Sequence, residues 1–249
     1  MKAIGYDIIC DISKYLSNKD KVRFTMTCVY LDTFRNEFEY TEEEHVYRVM
    51  QLPYYNKFTC VQKSQLKDVF TGSARIIHFN IRKPSVRRKH DALLIPNDVT
   101  HLTFYTRINE NTKKYIPESV THITLDTFFN KPIENCLPQS ITHLTFGKMF
   151  NSSIKKGIPS MVTHVTFGEY FDNEIKNYIP NSVTYLTFGD NFNRSVDDLP
   201  QSVTHLTFGY YFKKSINNVP VSVVEIKLSE EYDIPIDSTV ASRVRIIRV

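Results

Sequence analysis

Gln201-Ser202-Val203-Thr204-His205-Leu206-Thr207-Phe208-Gly209 decides the fold, because the chain repeats it. Near-copies stand at Asn181–Gly189, Met161–Gly168 and Gln139–Gly147, and weaker ones at Ser119–Leu125 and Asp98–Phe104. Each follows a proline, and these prolines fall at 96, 117, 138, 159, 180, 200 and 220, a spacing of 21 residues four times and then 20 twice. A fixed period of this length predicts a solenoid of stacked units and outranks any local reading.

Within a unit the apolar positions are the Val and the residues three and five further on: Val99, Leu102, Phe104; Ile141, Leu144, Phe146; Val203, Leu206, Phe208. The last two of each set alternate along one face of a short strand. A second aromatic follows (Phe150, Phe171, Phe192, Phe212), then an aliphatic (Ile154, Ile175, Val196, Ile216) and the residue before the next proline. About six apolar groups cannot close a core alone, but stacked units bury a continuous one. Parallel stacking at about 4.8 Å sets Phe on Phe and Leu on Leu. Val-x-x-Leu-x-Phe is the short-strand signature of leucine-rich repeats. More closely, the units resemble the FNIP repeat, a leucine-rich-repeat relative, through Phe150-Asn151 with Ile158-Pro159, Phe129-Asn130 with Leu137-Pro138 and Phe192-Asn193 with Leu199-Pro200. The resemblance spans roughly residues 96 to 228.

Composition suits an intracellular protein. Cys10, Cys28, Cys60 and Cys136 are scattered with no Cys-x-x-Cys pair, which argues for a reducing compartment and against a zinc module. Asp7 and Asp11 interrupt the first apolar pattern, so no signal peptide is expected, and no run approaches the roughly 18 apolar residues of a membrane span. The net charge of +4 is uneven: Arg75, Arg82, Lys83, Arg87, Arg88 and Lys89 lie together with no acid among them. That segment reads as a solvated loop. A nuclear-import or nucleic-acid patch is the alternative, but no aromatic is interleaved for bases to stack on, so nucleic acid is not an expected partner.

Near the start, Ile4, Ile8, Ile12, Tyr15 and Leu16 share a helical face with Ile9 beside it. Ser17-Asn18-Lys19-Asp20 reads as an exposed turn with helix-cap chemistry, and short helices follow around Val22 to Met26 and Cys28 to Phe38. Ile4-Gly5, Asp7-Ile8-Ile9, Asp11-Ile12, Tyr15-Leu16, Lys19-Asp20 and Thr27-Cys28 keep, in register, the order of the F-box, which this stretch resembles. It departs at Gly5, at Ser17-Asn18 and at Leu31, where the family has proline, proline–leucine and tryptophan. The resemblance implies that Ile4, Ile8, Ile9, Ile12 and Leu16 grip a Skp-type adaptor of a cullin ubiquitin ligase. A helical cap on the solenoid is the alternative. Proteins pairing the two elements are known mainly from social amoebae and giant viruses of amoebae, which implies a cytoplasmic setting, the host's if the protein is viral.

Thr41-Glu42-Glu43-Glu44 has the pattern of a capping box and predicts a helix to about Leu52, with another over Val61 to Phe70. Ala74–Phe79 and Val223–Leu228 read as outlying strands, and Arg243–Arg248 as a charged last edge. The expected fold is therefore α+β: an F-box-like helical module over residues 1–40, a helical bridge over 41–73 and a leucine-rich-like parallel β solenoid of FNIP repeats over 74–249.

The strands point two columns outward. One is His101, His122, His143, His164, Tyr185, His205 and Glu225; the other is Thr103, Thr124, Thr145, Thr166, Thr187, Thr207 and Lys227. Stacked histidines suggest a metal site or a pH switch. A residue present in nearly every unit, however, serves what every unit needs, so these columns read as strand stacking, with no metal or cofactor expected. The Asn109, Asn130, Asn151 and Asn193 column is expected to bond turn backbone. Recognition belongs where units differ, at the rim after Phe-Gly: Lys148, Glu169, Tyr170, Asp190, Tyr210 and Tyr211 are the expected target-binding residues. No Walker loop, Gly-x-Ser-x-Gly or His-Glu-x-x-His is present, so no enzyme is expected. Cys136 reads as a buried small residue.

Overall fold

The computed structural model of the chain describes residues 9, 12–25, 40, 42–45, 60–63, 76–81, 95, 97–105 and 108–249. The chain forms two compact units, Met1–Phe79 with Asp98–Thr100, and Asn80–Asn97 with His101–Val249.

In the second unit the repeated turns begin at a proline. Proline presets φ for a tight turn, and its carbonyl accepts the N–H three residues on: Pro117 from Val120, Pro159 from Val162, Pro180 from Val183, Pro200 from Val203 and Pro220 from Val223, all at 3.1 Å. The turn delivers the chain into a strand of three or four residues. These strands are β4 (His101–Phe104), β5 (His122–Leu125), β6 (His143–Thr145), β7 (His164–Thr166), β8 (Tyr185–Thr187), β9 (His205–Thr207), β10 (Glu225–Leu228) and β11 (Arg245–Arg248). They follow β1 (Glu44–His45), β2 (Cys60–Lys63) and β3 (Ile76–Ile81) in the chain. Each pairs in parallel with the next in the register the repeat dictates: His122 opposite His143, Leu144 opposite Val165, Thr166 opposite Thr187. Beside the strand, Thr142 and His143 both donate their N–H to the Thr121 carbonyl, and the bond pattern recurs one turn on with Thr163 and His164 on Thr142.

Two columns of rings form the core. Phe146, Phe167, Phe188 and Phe208 stack turn on turn with centroids 4.9, 5.5 and 5.6 Å apart. Phe129, Phe150, Phe171, Phe192 and Phe212 form a second column at 6.0–6.1 Å, closed by Tyr232 at 5.9 Å. Within a turn the columns touch: Phe167 to Phe171 is 4.0 Å and Phe188 to Phe192 is 3.8 Å. All of these rings are buried.

Polar side chains tie the turns together elsewhere. The asparagine column does bond backbone, but across turns rather than locally: Asn130 Oδ1 accepts the Asn151 N–H at 2.9 Å, Asn151 that of Asp172 at 3.0 Å, and Asn193 that of Lys213 at 3.0 Å. Asp172 fills the same role toward Asn193. Asn109 alone closes its own loop, accepting from the N–H groups of Asn111 and Thr112. The chain then rounds the far side through left-handed residues Asn135, Lys156 and Asn177, at φ of 55, 51 and 60°. Cys136 is buried as expected, and burial pushes its thiol pKa up.

Ahead of the repeats β1 (Glu44–His45), β2 (Cys60–Lys63) and β3 (Ile76–Ile81) are strands, with β1 on β2 and β2 on β3 in parallel. Residues 44–45 and 60–63 are thus strand where helices were expected to start after Thr41 and at Val61; the rest of those two stretches, 46–52 and 64–70, lies outside the described residues. Val61 is fully buried, and ladder pairing overrides the local helix signal. Glu42 does cap a helix, but a different one. Its carboxylate accepts the Asn18 N–H at 3.0 Å at the start of the helix Asn18–Thr25, where it meets the positive end of the helix dipole. Asn18 Nδ2 in turn donates to the Glu42 carbonyl. Ser17-Asn18 is therefore no exposed turn: Ser17 Oγ accepts the Asp20 N–H, and Asn18 is 4% exposed. Ile4, Ile8, residues 26–39 and the basic stretch 82–90 lie outside the described residues.

Removing one ring of the second column, Phe171→Ala, is expected to cost about 3–5 kcal/mol by urea unfolding, since the cavity lies between fixed neighbours. Lys156→Gly is expected to gain about 1 kcal/mol, because a lysine pays for the left-handed backbone that glycine adopts freely.

Candidate functional site

The rim arises from a turn of its own. After β6 to β9 the sequence Gly-x-x-Phe bends so that the Phe N–H reaches the Gly carbonyl: Phe150 to Gly147 at 3.1 Å, Phe171 to Gly168 at 3.3 Å, Phe192 to Gly189 at 3.3 Å; Asp126 and Ser229 take the glycine's place after β5 and β10. Glycine is required for closeness, since a Cβ on Gly168 would collide with the Gly147 carbonyl of the turn before. The two central residues are thrust outward while the Phe returns to the core. Consecutive rims are joined by backbone bonds from Met149 to Thr127 (2.8 Å), Tyr170 to Lys148 (3.0 Å), Asn191 to Glu169 (2.9 Å) and Tyr211 to Asp190 (2.9 Å).

This ladder brings the expected target-binding residues onto one strip. Lys148 Nζ meets Glu169 Oε2 at 2.6 Å and lies over the Tyr170 ring at 5.7 Å, and the Glu169 hydrogen bond raises the lysine's pKa. Asp190 Oδ1 accepts the Tyr210 N–H at 3.2 Å. The rings of Tyr210 and Tyr211 meet edge to face at 5.0 Å. The sequence reading missed Phe128, which is 80% exposed one turn before Met149. Its signal was the pair Phe128-Phe129: the core column takes one ring per turn, so the other must face out.

The outward histidines form a ring stack. Centroids lie 3.9 Å apart from His101 to His122, 4.0 Å to His143 and 4.1 Å to His164, and Tyr185 continues the stack to His205 at 4.4 and 4.3 Å. Nδ1 of His122, His143, His164 and His205 sits 2.8–2.9 Å from the hydroxyl of the preceding threonine, which fixes each ring's tilt. Parallel rings have parallel lone pairs that do not converge on one ion. Among the described residues no group of three His, Cys, Asp or Glu side chains could hold a metal. Burial, then the neighbouring His122 and His164, lowers the His143 pKa to about 4; burial and then His205 lower that of His164.

Of the expected adaptor-gripping residues, Ile9 is fully buried, Ile12 is 37% exposed and Leu16 is half-buried. Tyr15 beside them is 90% exposed.

The architecture is that of a leucine-rich-like parallel β solenoid. Within it the FNIP Repeat family model matches residues 109–149, 150–191, 171–198 and 192–231, so the chain carries FNIP repeats over that stretch. A solved structure described as the crystal structure of CroV588, a novel circular LRR protein structure, is 30% identical, with a TM-score of 0.48 over 78% of this chain. The chain spans 36% of that protein's length. No curated protein matches the sequence. Among the described residues no helix is long and apolar enough to cross a membrane.

The histidine stack sets a pH dependence. An unfolded imidazole takes its proton near 6.5 and the folded His143 only near 4, so between those values the native state binds fewer protons and loses stability as pH falls. The stabilisation is complete above pH 6.5. His143→Tyr, which copies Tyr185, is expected to flatten part of this slope when unfolding midpoints are compared between about pH 7 and pH 4.

Proposed function

We propose that the chain is a protein-interaction scaffold that recruits a target to a cullin ubiquitin ligase, with the solenoid rim holding the target and the N-terminal residues docking a Skp-type adaptor. The observation that carries the target-binding part is the rim itself. Its backbone is held rigid by bonds from turn to turn, while its side chains differ in every turn, so one scaffold presents a distinct, pre-organised set of contacts. Catalysis belongs to other subunits of such a ligase, and this chain positions rather than reacts.

The adaptor part rests on the F-box resemblance and on the division of apolar residues. Ile9 is spent on the protein's own core, whereas Ile12 and Tyr15 remain exposed for a partner's groove. A second reading has its own support: Asn18 is buried and doubly tied to Glu42, as in a head that caps its own domain. In that case the protein is a scaffold without a ligase.

Ile12→Asp separates the two, because an exposed anchor can be changed without hollowing the core. The ligase reading expects wild type to capture a purified Skp-type adaptor with its cullin and the variant to lose at least about ten-fold in affinity, about 1.4 kcal/mol. Wild type that captures no adaptor at micromolar concentration, or a folded variant that binds as well as wild type, leaves the scaffold.

A further inference from the structure

We infer that the solenoid rim is built for a short, extended, basic polypeptide segment, apolar at one end and bearing arginine or lysine at the other. This rests on the reading that the rim binds a protein and goes beyond it by naming the chemistry of that protein.

Two observations point to such a partner. The first is an exposed apolar ridge. Phe128, Met149 and Tyr170 occupy the same rim position in three successive turns, at 80, 40 and 42% exposure, with backbone bonds from Met149 to Thr127 and from Tyr170 to Lys148 holding the turns together beside them. Asn191 interrupts the ridge, and Tyr211, at 57%, resumes it beside Tyr210. Such a run of large apolar side chains at one edge stays exposed only at a cost unless something covers it.

The second is charge. Along the same rim stand Asp126, Glu169, Asp190, Glu230 and Glu231 against Lys148, with Lys213 and Arg248 donating to backbone carbonyls of the last bend. Five carboxylates against these three cations leave the strip at −2 in a chain whose net charge is +4. Lys148 is already engaged by Glu169. The rim is thus opposite in sign to the molecule that carries it, which favours a cationic partner and disfavours nucleic acid and an anionic lipid surface.

The two ends differ in chemistry. At the Phe128–Tyr170 end the strip offers rings and a thioether to aliphatic side chains. At the other, the perpendicular pair of Tyr210 and Tyr211 stands between the carboxylate of Asp190 and those of Glu230 and Glu231 one turn on. A guanidinium can lie on a tyrosine face there while its N–H groups reach a carboxylate. Four turn spacings of about 4.8 Å separate Phe128 from Tyr211, a length of about 19 Å, which an extended chain rising about 3.3 Å per residue covers in about six residues.

The test is fluorescence anisotropy on the full chain with two labelled eight-residue peptides. One has apolar residues in one half and arginines in the other; the second has glutamates for the arginines. The basic peptide is expected to bind at least about ten-fold more tightly than the acidic one. Its affinity should weaken as salt rises from about 50 to about 500 mM. Phe128→Ser should weaken both peptides, whereas Asp190→Asn with Glu230→Gln and Glu231→Gln should weaken only the basic one. All of these are surface changes, and the unfolding curve checks that they leave stability in place. Equal binding of both peptides, lost in the Phe128 variant, overturns the basic partner but leaves the rim as a docking surface. Binding that survives every rim variant overturns both, as does absence of binding by either peptide at millimolar concentration. Self-association in sedimentation that Phe128→Ser abolishes would make the occupant a second copy and overturns the basic segment.

Discussion

Two touching columns of phenylalanine rings set the conditions for everything else in the solenoid. A turn of about 20 residues has too little apolar surface to fold by itself, so each ring must find its partner in the turns above and below. The contact of Phe167 with Phe146, Phe188 and Phe171 at once is what makes one turn the template of the next. The glycines at 147, 168 and 189 and the asparagine bonds between turns follow from it, since rings stack only if the backbones close to one spacing on every side.

The same regularity made the solenoid legible in the sequence. The proline period, the strand register and the two outward columns could all be read because one geometry is written repeatedly, and repetition averages away local ambiguity. Where the pattern is absent, local signals misled. Thr41 to Glu44 carries good helix-start chemistry, yet Glu42 serves another helix and Glu44 joins a strand. Propensity acts over a few residues, whereas the Asn18–Glu42 contact joins positions 24 apart. Phe128 escaped notice for a related reason: in sequence it is one of two adjacent phenylalanines, and only stacking decides which ring is inside.

The rim owes its character to what the core leaves free. In each turn the positions facing the ring columns and the neighbouring strands are constrained, while the side chains of the two residues at the bend lie outside the core and are held only by contacts that vary from turn to turn, such as Lys148 to Glu169 and Asp190 to the Tyr210 N–H. Lysine, glutamate, aspartate, methionine and tyrosine all occur there without disturbing the backbone. A rigid frame with variable side chains at one edge is a physical recipe for recognition, because ordering has already occurred at folding and little is lost on binding. The histidine stack is the converse case, uniform and half-buried, and its chemistry is that of structure.

The account stands on coupling between turns, and a double-mutant cycle on Phe167 and Phe188, each changed to Leu, measures it most directly. Their rings lie 5.5 Å apart in adjacent turns. The account requires a coupling of about 0.5–1.5 kcal/mol in urea unfolding, with additivity for Phe146 and Phe208 three turns apart. Additivity for Phe167 and Phe188 as well would contradict it.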